Sequence, residues 1–489
     1  MTHGTLQPPF FIALATMASW AFFFLFGHMR DLVRKRLPKA ARKGYAPIRQ
    51  DYEDFYTRRM FYRIHDCWNR PICSAPDAWV DVMERTPVDG QKPLKLTGAT
   101  RRCLNLGSYN YLGFAAADEY CTPRVLATMR ELGWSMCSSR IDAGTTPVHL
   151  ELESLVAEFV GKQAALTFGM GFATNSIVIP AIVGRGCLIL SDALNHASIV
   201  AGARGSGAKV KVFAHNDADH LEAVLRASIA EGQLRTRRPW RKVLVVVEGI
   251  YSMEGEIVDL AAIVAVAKKY KAYLYLDEAH SIGALGTGGR GVCEACGVDP
   301  ADIDVMMGTF TKSFGSCGGY IAADRGVIDY LRRVAPGHHY ATSMAPPAAQ
   351  QIVSALRLIR GEDGSDRGAR KIAALHANSN WFRRRLVEIG CNVLGDWNSP
   401  VMPVMLFQPG KIAAASRLCW ERGVALVVVG FPATPLMTAR ARVCISAAHT
   451  REDLEHALQV LDEVSELALL KYHPRKALHL NGAEHLVKG

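Results

Sequence analysis

The chain has 489 residues, 49% of them hydrophobic, so it can bury a large core and must divide into more than one domain. Its twelve cysteines lack the spacing of a small disulfide scaffold, which indicates reduced thiols and a catalytic body facing the cytosol. The formal net charge is +11, but outside the first 45 residues the basic excess is spread thinly. The one dense cluster, residues 235–242, is interpreted as a solvated loop or a contact for anionic phosphate groups, and we expect no nucleic-acid partner.

The N-terminal segment is almost wholly apolar. No Asp, Glu, Lys or Arg precedes Arg30, and residues 10–26 are nearly all aliphatic or aromatic. A run of this length is at the lower edge of what can cross a bilayer, and Thr16, Ser19 and Gly27 dilute it. An amphipathic helix in one leaflet and a buried core helix are the alternatives. The sequence therefore predicts membrane attachment and leaves open whether residues 10–27 span the bilayer.

A basic flank follows the apolar run. Seven basic residues stand against one acid, Asp31, and they hold +6 of the net charge: Arg30, Arg34, Lys35, Arg36, Lys39, Arg42 and Lys43. By the positive-inside rule these charges and everything after them stay in the cytosol. A cleaved signal peptide would carry its charge before the apolar run, not after it.

Two strand-like runs deliver ionisable side chains at their C-terminal ends. Residues 271–277, Lys-Ala-Tyr-Leu-Tyr-Leu-Asp, predict a buried strand ending at Asp277. Residues 304–312, Asp-Val-Met-Met-Gly-Thr-Phe-Thr-Lys, predict a second one ending in two hydroxyls and the Lys312 amine. Open α/β sheets bind ligands at this edge.

Together these groups predict a site for pyridoxal 5'-phosphate (PLP). Alone, a strand-end Asp is more often a helix cap and a Lys after a strand is usually solvated, so the conjunction carries the argument. Asp277 can keep the pyridinium nitrogen protonated, and Lys312 can bind the cofactor covalently. His280, three residues after Asp277, can donate a hydrogen bond to the ring hydroxyl.

The motifs belong to a longer pattern that resembles the α-oxoamine synthase family of fold-type I PLP enzymes. The resemblance covers roughly residues 100–450 and includes the runs at 108–113, 139–149 and 442–450. Residues 308–315 and 340–347 and the N-terminal extension most resemble the lysine-bearing subunits of the eukaryotic branch that condenses L-serine with palmitoyl-CoA. The resemblance implies an α/β large domain, with a mostly parallel sheet flanked by helices, and a smaller α+β C-terminal domain.

Further cofactor contacts are implied by the same resemblance. Gly171 and Phe172 match the phosphate-binding turn, where small residues open a helix whose free N–H groups can receive the phosphate. His196 matches the histidine that stacks on the cofactor ring and helps to orient the substrate amine. Ser252 matches a cofactor-contacting serine, and Thr309 a phosphate-contacting threonine.

Arg442 matches the arginine that pairs with the substrate carboxylate, for which a planar bidentate donor is suited. Arg440 would face the same side of a strand and could compete for that role. We expect no metal site, because Cys293 and Cys296 fit C-x-x-C without a second pair at metal spacing.

After about residue 346 the alternation of strands and helices gives way to a long helical stretch. A helical stretch over 348–389, interrupted at 361–368, is followed by strands at 424–429 and 441–445 and by a final helix from Arg451. The predicted organisation is a membrane-associated segment with its basic flank (1–45), an N-terminal arm (46–110), a large PLP-binding domain (111–345) and a small C-terminal domain (346–489).

The resemblance implies a decarboxylative condensation of L-serine with palmitoyl-CoA to 3-ketodihydrosphingosine. It also implies a heterodimer with a related subunit that lacks the cofactor lysine, on the endoplasmic reticulum membrane with the catalytic domain in the cytosol. One alternative is another α-oxoamine synthase with a different amino acid or acyl-CoA. A second is a non-catalytic, membrane-bound regulatory subunit, against which Lys312 argues.

Overall fold

The computed structural model describes residues 6–36, 55–87 and 94–473. Of the predicted basic flank, Lys39, Arg42 and Lys43 lie outside the described residues, as do residues 46–54 of the predicted N-terminal arm.

Strands and helices alternate along the central part of the chain. The described strands are β1 (Trp79–Pro87), β2 (Leu94–Asn105), β3 (Ala164–Phe168), β4 (Leu188–Asp192), β5 (Lys209–Phe213), β6 (Val243–Glu248), β7 (Tyr273–Asp277), β8 (Val305–Thr309), β9 (Gly319–Ala323), β10 (Val401–Phe407), β11 (Val424–Ala425), β12 (Val427–Val429) and β13 (Ala439–Cys444). The described α-helices are α1 (Phe10–Arg36), α2 (Tyr62–Ile64), α3 (Cys121–Leu132), α4 (Pro147–Val160), α5 (Gly171–Ile182), α6 (Ala197–Ser206), α7 (Ala218–Glu231), α8 (Leu260–Lys269), α9 (Val292–Cys296), α10 (Arg325–Val334), α11 (Pro336–His339), α12 (Pro346–Ile359), α13 (Arg367–Glu388), α14 (Pro409–Glu421) and α15 (Arg451–Leu467).

The large sheet contains seven strands in the order β3-β9-β8-β7-β6-β4-β5. Strand β9 runs antiparallel to both neighbours, and the other adjacent pairs are parallel. Both faces are covered: Val245 and Val247 join one apolar cluster, while Leu244 and Val246 join another. This is why β6 is a continuous apolar run, as expected for a buried parallel strand. The predicted mostly parallel α/β sheet is confirmed.

The carboxyl edge of this sheet is where the predicted cofactor residues converge. Strands β6 and β7 end at Glu248 and Asp277, which are directly paired in register. The prediction that the next strand extends to Lys312 was wrong, because β8 ends at Thr309. Thr309 pairs with Gly319 of the antiparallel β9, so the chain must reverse between them. Lys312 therefore lies in the reversing loop and not on the strand.

The C-terminal part is built from helices and two three-stranded sheets, β10-β13-β12 and β1-β2-β11. The predicted single strand at 424–429 was wrong: β11 pairs parallel with β2, whereas β12 pairs antiparallel with β13. A short apolar run has no feature that reveals such a change of partner. Strand β10 was missed, because Pro403 interrupts an otherwise strand-like run.

Helix α1 lies along the C-terminal part of the body. Near its start, Ile12 packs against the apolar cluster that contains Phe407. In its middle, the Trp20 ring is 6.4 Å from the Phe431 ring. Near its end, Asp31 pairs with Arg59 in a largely buried ion pair. Contacts therefore extend over most of the length of the helix.

The opposite face of α1 is apolar and exposed. It presents Phe10, Phe11, Leu14, Met17, Phe22, Leu25, Phe26, Met29, Leu32 and Val33. Residues Phe10–Val33 are long and apolar enough to cross a membrane, and only 17% of the most apolar window is buried. A core helix would be mostly buried, so the alternative of a core helix does not fit this segment.

Candidate active site

Tyr109 lies at the centre of a group of predicted site residues. The Lys312 Nζ is 5.6 Å from the centre of its ring, and the guanidinium carbon of Arg442 is 4.5 Å from it. The His280 ring packs edge-on against it with the centroids 5.0 Å apart. The structure thus gathers the predicted cofactor lysine, ring-hydroxyl donor and substrate arginine around one aromatic ring. Sequence analysis assigned Tyr109 no role, although it lies in the run at 108–113.

The Asp277 carboxylate is buried and held in one orientation. Its Oδ2 accepts a hydrogen bond from Asn175 Nδ2 at 2.7 Å, and its Oδ1 accepts one from the Ala279 N–H at 2.9 Å. The Tyr275 hydroxyl donates to Asn175 Oδ1 at 2.7 Å, which fixes the amide. These neutral donors suit an ionised carboxylate, which accepts only. A cation at the sheet edge, such as a protonated ring nitrogen, would complete its surroundings.

The same amide connects Asp277 to His196. Asn175 Nδ2 also donates to the Ser198 hydroxyl at 3.0 Å, and that hydroxyl lies 2.8 Å from His196 Nδ1. The Ser198 N–H donates to the same Nδ1 at 3.2 Å, so Nδ1 is the acceptor and Nε2 carries the proton. Asn175 and Ser198 were missed by sequence analysis. The one available signal was their spacing, one helical turn after Gly171 and two residues after His196.

His280 is buried and neutral. Burial lowers its pKa well below the ordinary value, and the charges of Lys312 and Arg442 lower it further. The Tyr111 hydroxyl lies 2.7 Å from Nδ1, and burial raises the pKa of this phenol well above its usual range. The phenol therefore keeps its proton and can donate it to Nδ1. That leaves Nε2 as an N–H donor, the form that the predicted hydrogen bond to a ring hydroxyl requires.

The Lys312 amine has a lowered pKa. Burial lowers its pKa from 10.5 to about 8; the charges of Asp277 and Glu248 oppose this shift, and that of Arg442 adds to it. The ammonium is still the major form near pH 7, but the unprotonated fraction is far larger than for a lysine with the ordinary pKa. An unprotonated amine is the nucleophile that attacks a carbonyl, so this is the state needed to bind an aldehyde cofactor.

Glu248 is a further buried carboxyl at this edge, which sequence analysis did not single out. Its Oε1 accepts a hydrogen bond from the His196 backbone N–H. Burial, and secondly the neighbouring charge of Asp277, raise its pKa well above the ordinary value. Two adjacent buried carboxylates repel each other, so a raised pKa on Glu248 is the expected response to its neighbour.

The start of α5 has the shape expected of a phosphate site. A Cβ on Gly171 would lie 2.7 Å from the Thr309 hydroxyl, so a larger residue would disturb the close approach. No side chain caps this helix, which leaves its first N–H groups to an anion. Thr309 Oγ1 donates to the Gly318 carbonyl at 2.9 Å, which orients it toward the same turn. Phe172 places its ring edge-on to His196, with the centroids 6.0 Å apart.

The two candidate arginines of β13 have different partners. Arg440 is buried and forms an ion pair with Glu254 at 3.1 Å. Arg442 contacts the Met253 sulfur at 3.8 Å and lies over Tyr109. Within the described residues, its buried Nε has no hydrogen-bond partner. The geometry therefore favours Arg442 as the arginine free to bind a carboxylate.

Ser252 is the predicted site residue that the structure links least directly to the others. It is half-buried in the turn that follows β6, next to Met253. Met253 links this turn to Arg442, but no described hydrogen bond joins the Ser252 hydroxyl to the other site residues. Its role as a cofactor contact stays a prediction.

Comparisons with known proteins identify the class. Residues 101–461 match the family described as aminotransferase class I and II. Long chain base biosynthesis protein 2d of Oryza sativa subsp. japonica is 61% identical over 469 residues, which cover 95% of this chain and 96% of that protein. Serine palmitoyltransferase 2 of Dictyostelium discoideum is 53% identical over 437 residues, 89% of each chain. A solved serine palmitoyltransferase with a PLP internal aldimine matches with a TM-score of 0.74 at 26% identity, over 85% of this chain and 96% of that one.

The fold and these relatives define a fold-type I, PLP-dependent acyltransferase, so the predicted cofactor is confirmed. Within that class, the chain belongs to the serine palmitoyltransferase family, a branch of the α-oxoamine synthases.

The balance of charges around Lys312 can be measured in the cofactor-free protein. An amine-selective reagent should modify Lys312 with a pH midpoint near 8, because only the neutral amine reacts. Asp277→Asn should move this midpoint lower, since the carboxylate stabilises the ammonium, and Arg442→Gln should move it higher. Mass spectrometry of labelled peptides measures both, with exposed Lys268 as the internal reference. A midpoint for Lys312 equal to that of Lys268 would contradict the account.

Proposed function

We propose that this chain is the catalytic subunit of a serine palmitoyltransferase. It would condense L-serine with palmitoyl-CoA, releasing carbon dioxide and CoA and forming 3-ketodihydrosphingosine, the first step of sphingolipid biosynthesis. The observation that carries the proposal is the buried Lys312 amine near the Asp277 carboxylate, at the carboxyl edge of a sheet shared with serine palmitoyltransferases. A regulatory subunit without catalytic activity has no need for this arrangement.

The residues present fit PLP. The uncapped start of α5 and Thr309 would hold the phosphate, because Gly171 leaves the space for it. Asp277 would face the ring nitrogen, Nε2 of His280 would donate to the ring hydroxyl, and Lys312 would carry the cofactor. When bound, PLP supplies an electron sink that stabilises negative charge at the α-carbon of the amino acid.

The protein groups then bind the substrate and move its protons. The Arg442 guanidinium, whose buried Nε has no partner among the described residues, would bind the serine carboxylate, and the Nε2–H of His196 would orient the substrate within the site. Lys312, once free of the cofactor, would take the α-proton and later return one, since burial lowers the pKa of its amine to about 8. The carboxylate leaves as carbon dioxide after the acyl group has been transferred from CoA.

The exposed face of α1 supports attachment to the endoplasmic reticulum membrane, with the catalytic domain in the cytosol. Its aromatic and aliphatic side chains suit the lipid boundary, and Arg30 begins the basic flank that anionic headgroups attract. A bilayer location also suits the chemistry, because both the palmitoyl donor and the sphingoid product partition into lipid.

A related subunit that lacks the cofactor lysine is the proposed partner. In the resembling family a loop corresponding to 340–344 reaches into the partner's site. Here that loop is anchored: Thr342 bridges to Ser139, and the Ser343 N–H donates to the Ser138 carbonyl at 3.0 Å. Its first part is exposed, with Tyr340 86% exposed, whereas Ser343 and Met344 are buried. If the partner's site is degenerate, substitutions at Thr342 and Ser343 should reduce activity less than a substitution at Thr309 does.

The function is tested by serine-dependent release of CoA from palmitoyl-CoA. The chain expressed with its lysine-lacking relative should be active, and Lys312→Ala should abolish turnover. Asp277→Asn should lose on the order of 100-fold, as when one preorganised electrostatic partner is removed. Lys268→Ala, an exposed lysine in a surface ion pair, is the matched control.

Three outcomes would contradict parts of the proposal. An active Lys312→Ala variant would remove the cofactor assignment. Full activity of this chain alone would replace the heterodimer by a homodimer. A clear preference for another amino acid or a short acyl-CoA would favour the alternative α-oxoamine synthase.

Membrane attachment is tested on the exposed face of α1. Replacing Phe22, Leu25 and Phe26 by Glu should lower the affinity of the protein for membranes by at least about 100-fold. Each apolar side chain contributes roughly 1.5–3 kcal/mol when buried. Deleting residues 1–45 should have the same effect, and Leu234→Glu, on an exposed loop of the large domain, should not. Sedimentation after carbonate extraction measures this. A triple variant that still sediments would place the attachment in the body or a partner.

A further inference from the structure

The turn between β6 and α8, residues 249–258, connects the large sheet to the strand that carries Arg442. An antiparallel bridge joins Ile250 to Ile257. The Tyr251 N–H donates to the Glu256 carbonyl at 3.0 Å, and the Gly255 N–H donates to the Tyr251 carbonyl at 2.7 Å. These internal hydrogen bonds make the β6–α8 turn a rigid unit. Contacts that hold one side of the turn therefore also fix the position of its other side.

On the large-sheet side, His215 anchors the turn. Its Nδ1 lies 2.9 Å from Asp192, at the end of β4, and its Nε2 lies 3.1 Å from Glu256 in the turn. Burial alone would lower the pKa of His215, but the two carboxylates outweigh burial and raise it to about 9. The imidazolium is therefore charged at neutral pH and bridges both acids.

On the other side, Arg440 grips the tip of the turn. Its Nη1 donates to the Met253 carbonyl at 2.6 Å and to Glu254 Oε1 at 3.1 Å. Both side chains of the ion pair are buried, with 3% and 8% of the Arg440 and Glu254 side chains exposed. A buried pair of this kind is disrupted strongly when one partner loses its charge, because the other charge is then left uncompensated.

Arg442 shares this contact surface. It is two residues after Arg440 on β13, so both side chains leave the same face of the strand. Arg440 holds the backbone of Met253, and Arg442 Nη1 contacts its sulfur at 3.8 Å. The turn also packs closely against β10, the strand paired with β13: a Cβ on Gly255 would clash with the Val401 carbonyl. These contacts therefore fix the position of the tip of the turn relative to β13.

We propose that the Glu254–Arg440 ion pair is a positioning element for recognition of the amino acid. It holds Met253 against Arg442 and thereby keeps the Arg442 guanidinium over the Tyr109 ring, where it can meet the substrate carboxylate. Neither Glu254 nor Arg440 would touch the substrate. The inference rests on the proposed role of Arg442 in the proposed function.

The test compares two amines in the PLP-loaded complex. Ligand binding is followed by the change in cofactor absorbance, with L-serine as the carboxylate-bearing amine and ethanolamine as its carboxylate-free counterpart. Glu254→Gln keeps the shape of the side chain and removes its charge. It should weaken L-serine binding by about 10- to 100-fold, the range expected for a misplaced binding group. Ethanolamine binding and the KM for palmitoyl-CoA should change less than about twofold.

Two further variants separate positioning from stability. Arg440→Lys retains the positive charge, so it should recover part of the selectivity for L-serine that Arg440→Gln loses. Arg383→Lys is the matched control, because Arg383 is a buried arginine of the same region that bonds to backbone carbonyls, including those of Leu394 and Val401. It should lower the melting temperature and leave the ratio of the two affinities unchanged.

The possible outcomes are distinct. The proposal would be overturned if Glu254→Gln weakened the binding of L-serine and of ethanolamine equally, or if it left the binding of L-serine unchanged. If Glu254→Gln fails to fold, the same comparison in Arg440→Lys and Arg440→Gln decides the matter. A wild-type complex that binds L-serine but does not release CoA would contradict the proposed function and still leave the affinity ratio as a test of positioning.

Discussion

The interaction on which the rest of the site depends is that of the buried Lys312 amine with the carboxyl groups at the ends of β6 and β7. Burial disfavours the ammonium, and a carboxylate nearby favours it, so the two effects compete. An unpaired charge removed from water costs several kcal/mol. Their balance leaves the pKa at about 8, so both forms are well populated near that pH. A lysine that must first bind an aldehyde and then exchange protons requires both forms.

The sheet produces this balance by register. Glu248 and Asp277 are direct neighbours in the ladder, and burial, together with the charge of Asp277, raises the pKa of Glu248 well above its ordinary value. The Asp277 carboxyl group is held in one orientation by Asn175, whose amide also connects to Ser198 and so to His196. One buried polar network thus sets the position of a carboxylate and the tautomer of a histidine. Networks of this kind are effective only when each member is satisfied.

Much of this site could be predicted from the sequence, because Asp277 and Lys312 follow apolar runs that end at one edge of the sheet. The choice between Arg440 and Arg442 could not, since residues two apart on a strand share a face and only the distant Glu254 separates them. Asn175 and Ser198 were missed because their roles depend on the packing of α5 against α6. The division of residues 424–429 between two sheets also could not be predicted from the sequence, because an apolar run does not indicate which strand it pairs with.

The central claim is that Lys312 is the residue to which the cofactor is bound. Reduction of the native, PLP-loaded complex with borohydride, followed by proteolysis and peptide mass mapping, tests it most directly. The account predicts a pyridoxyl label on the peptide that contains Lys312, and on no other peptide of this chain. A label on a different lysine, or a PLP-loaded complex in which Lys312 remains unmodified, would contradict it.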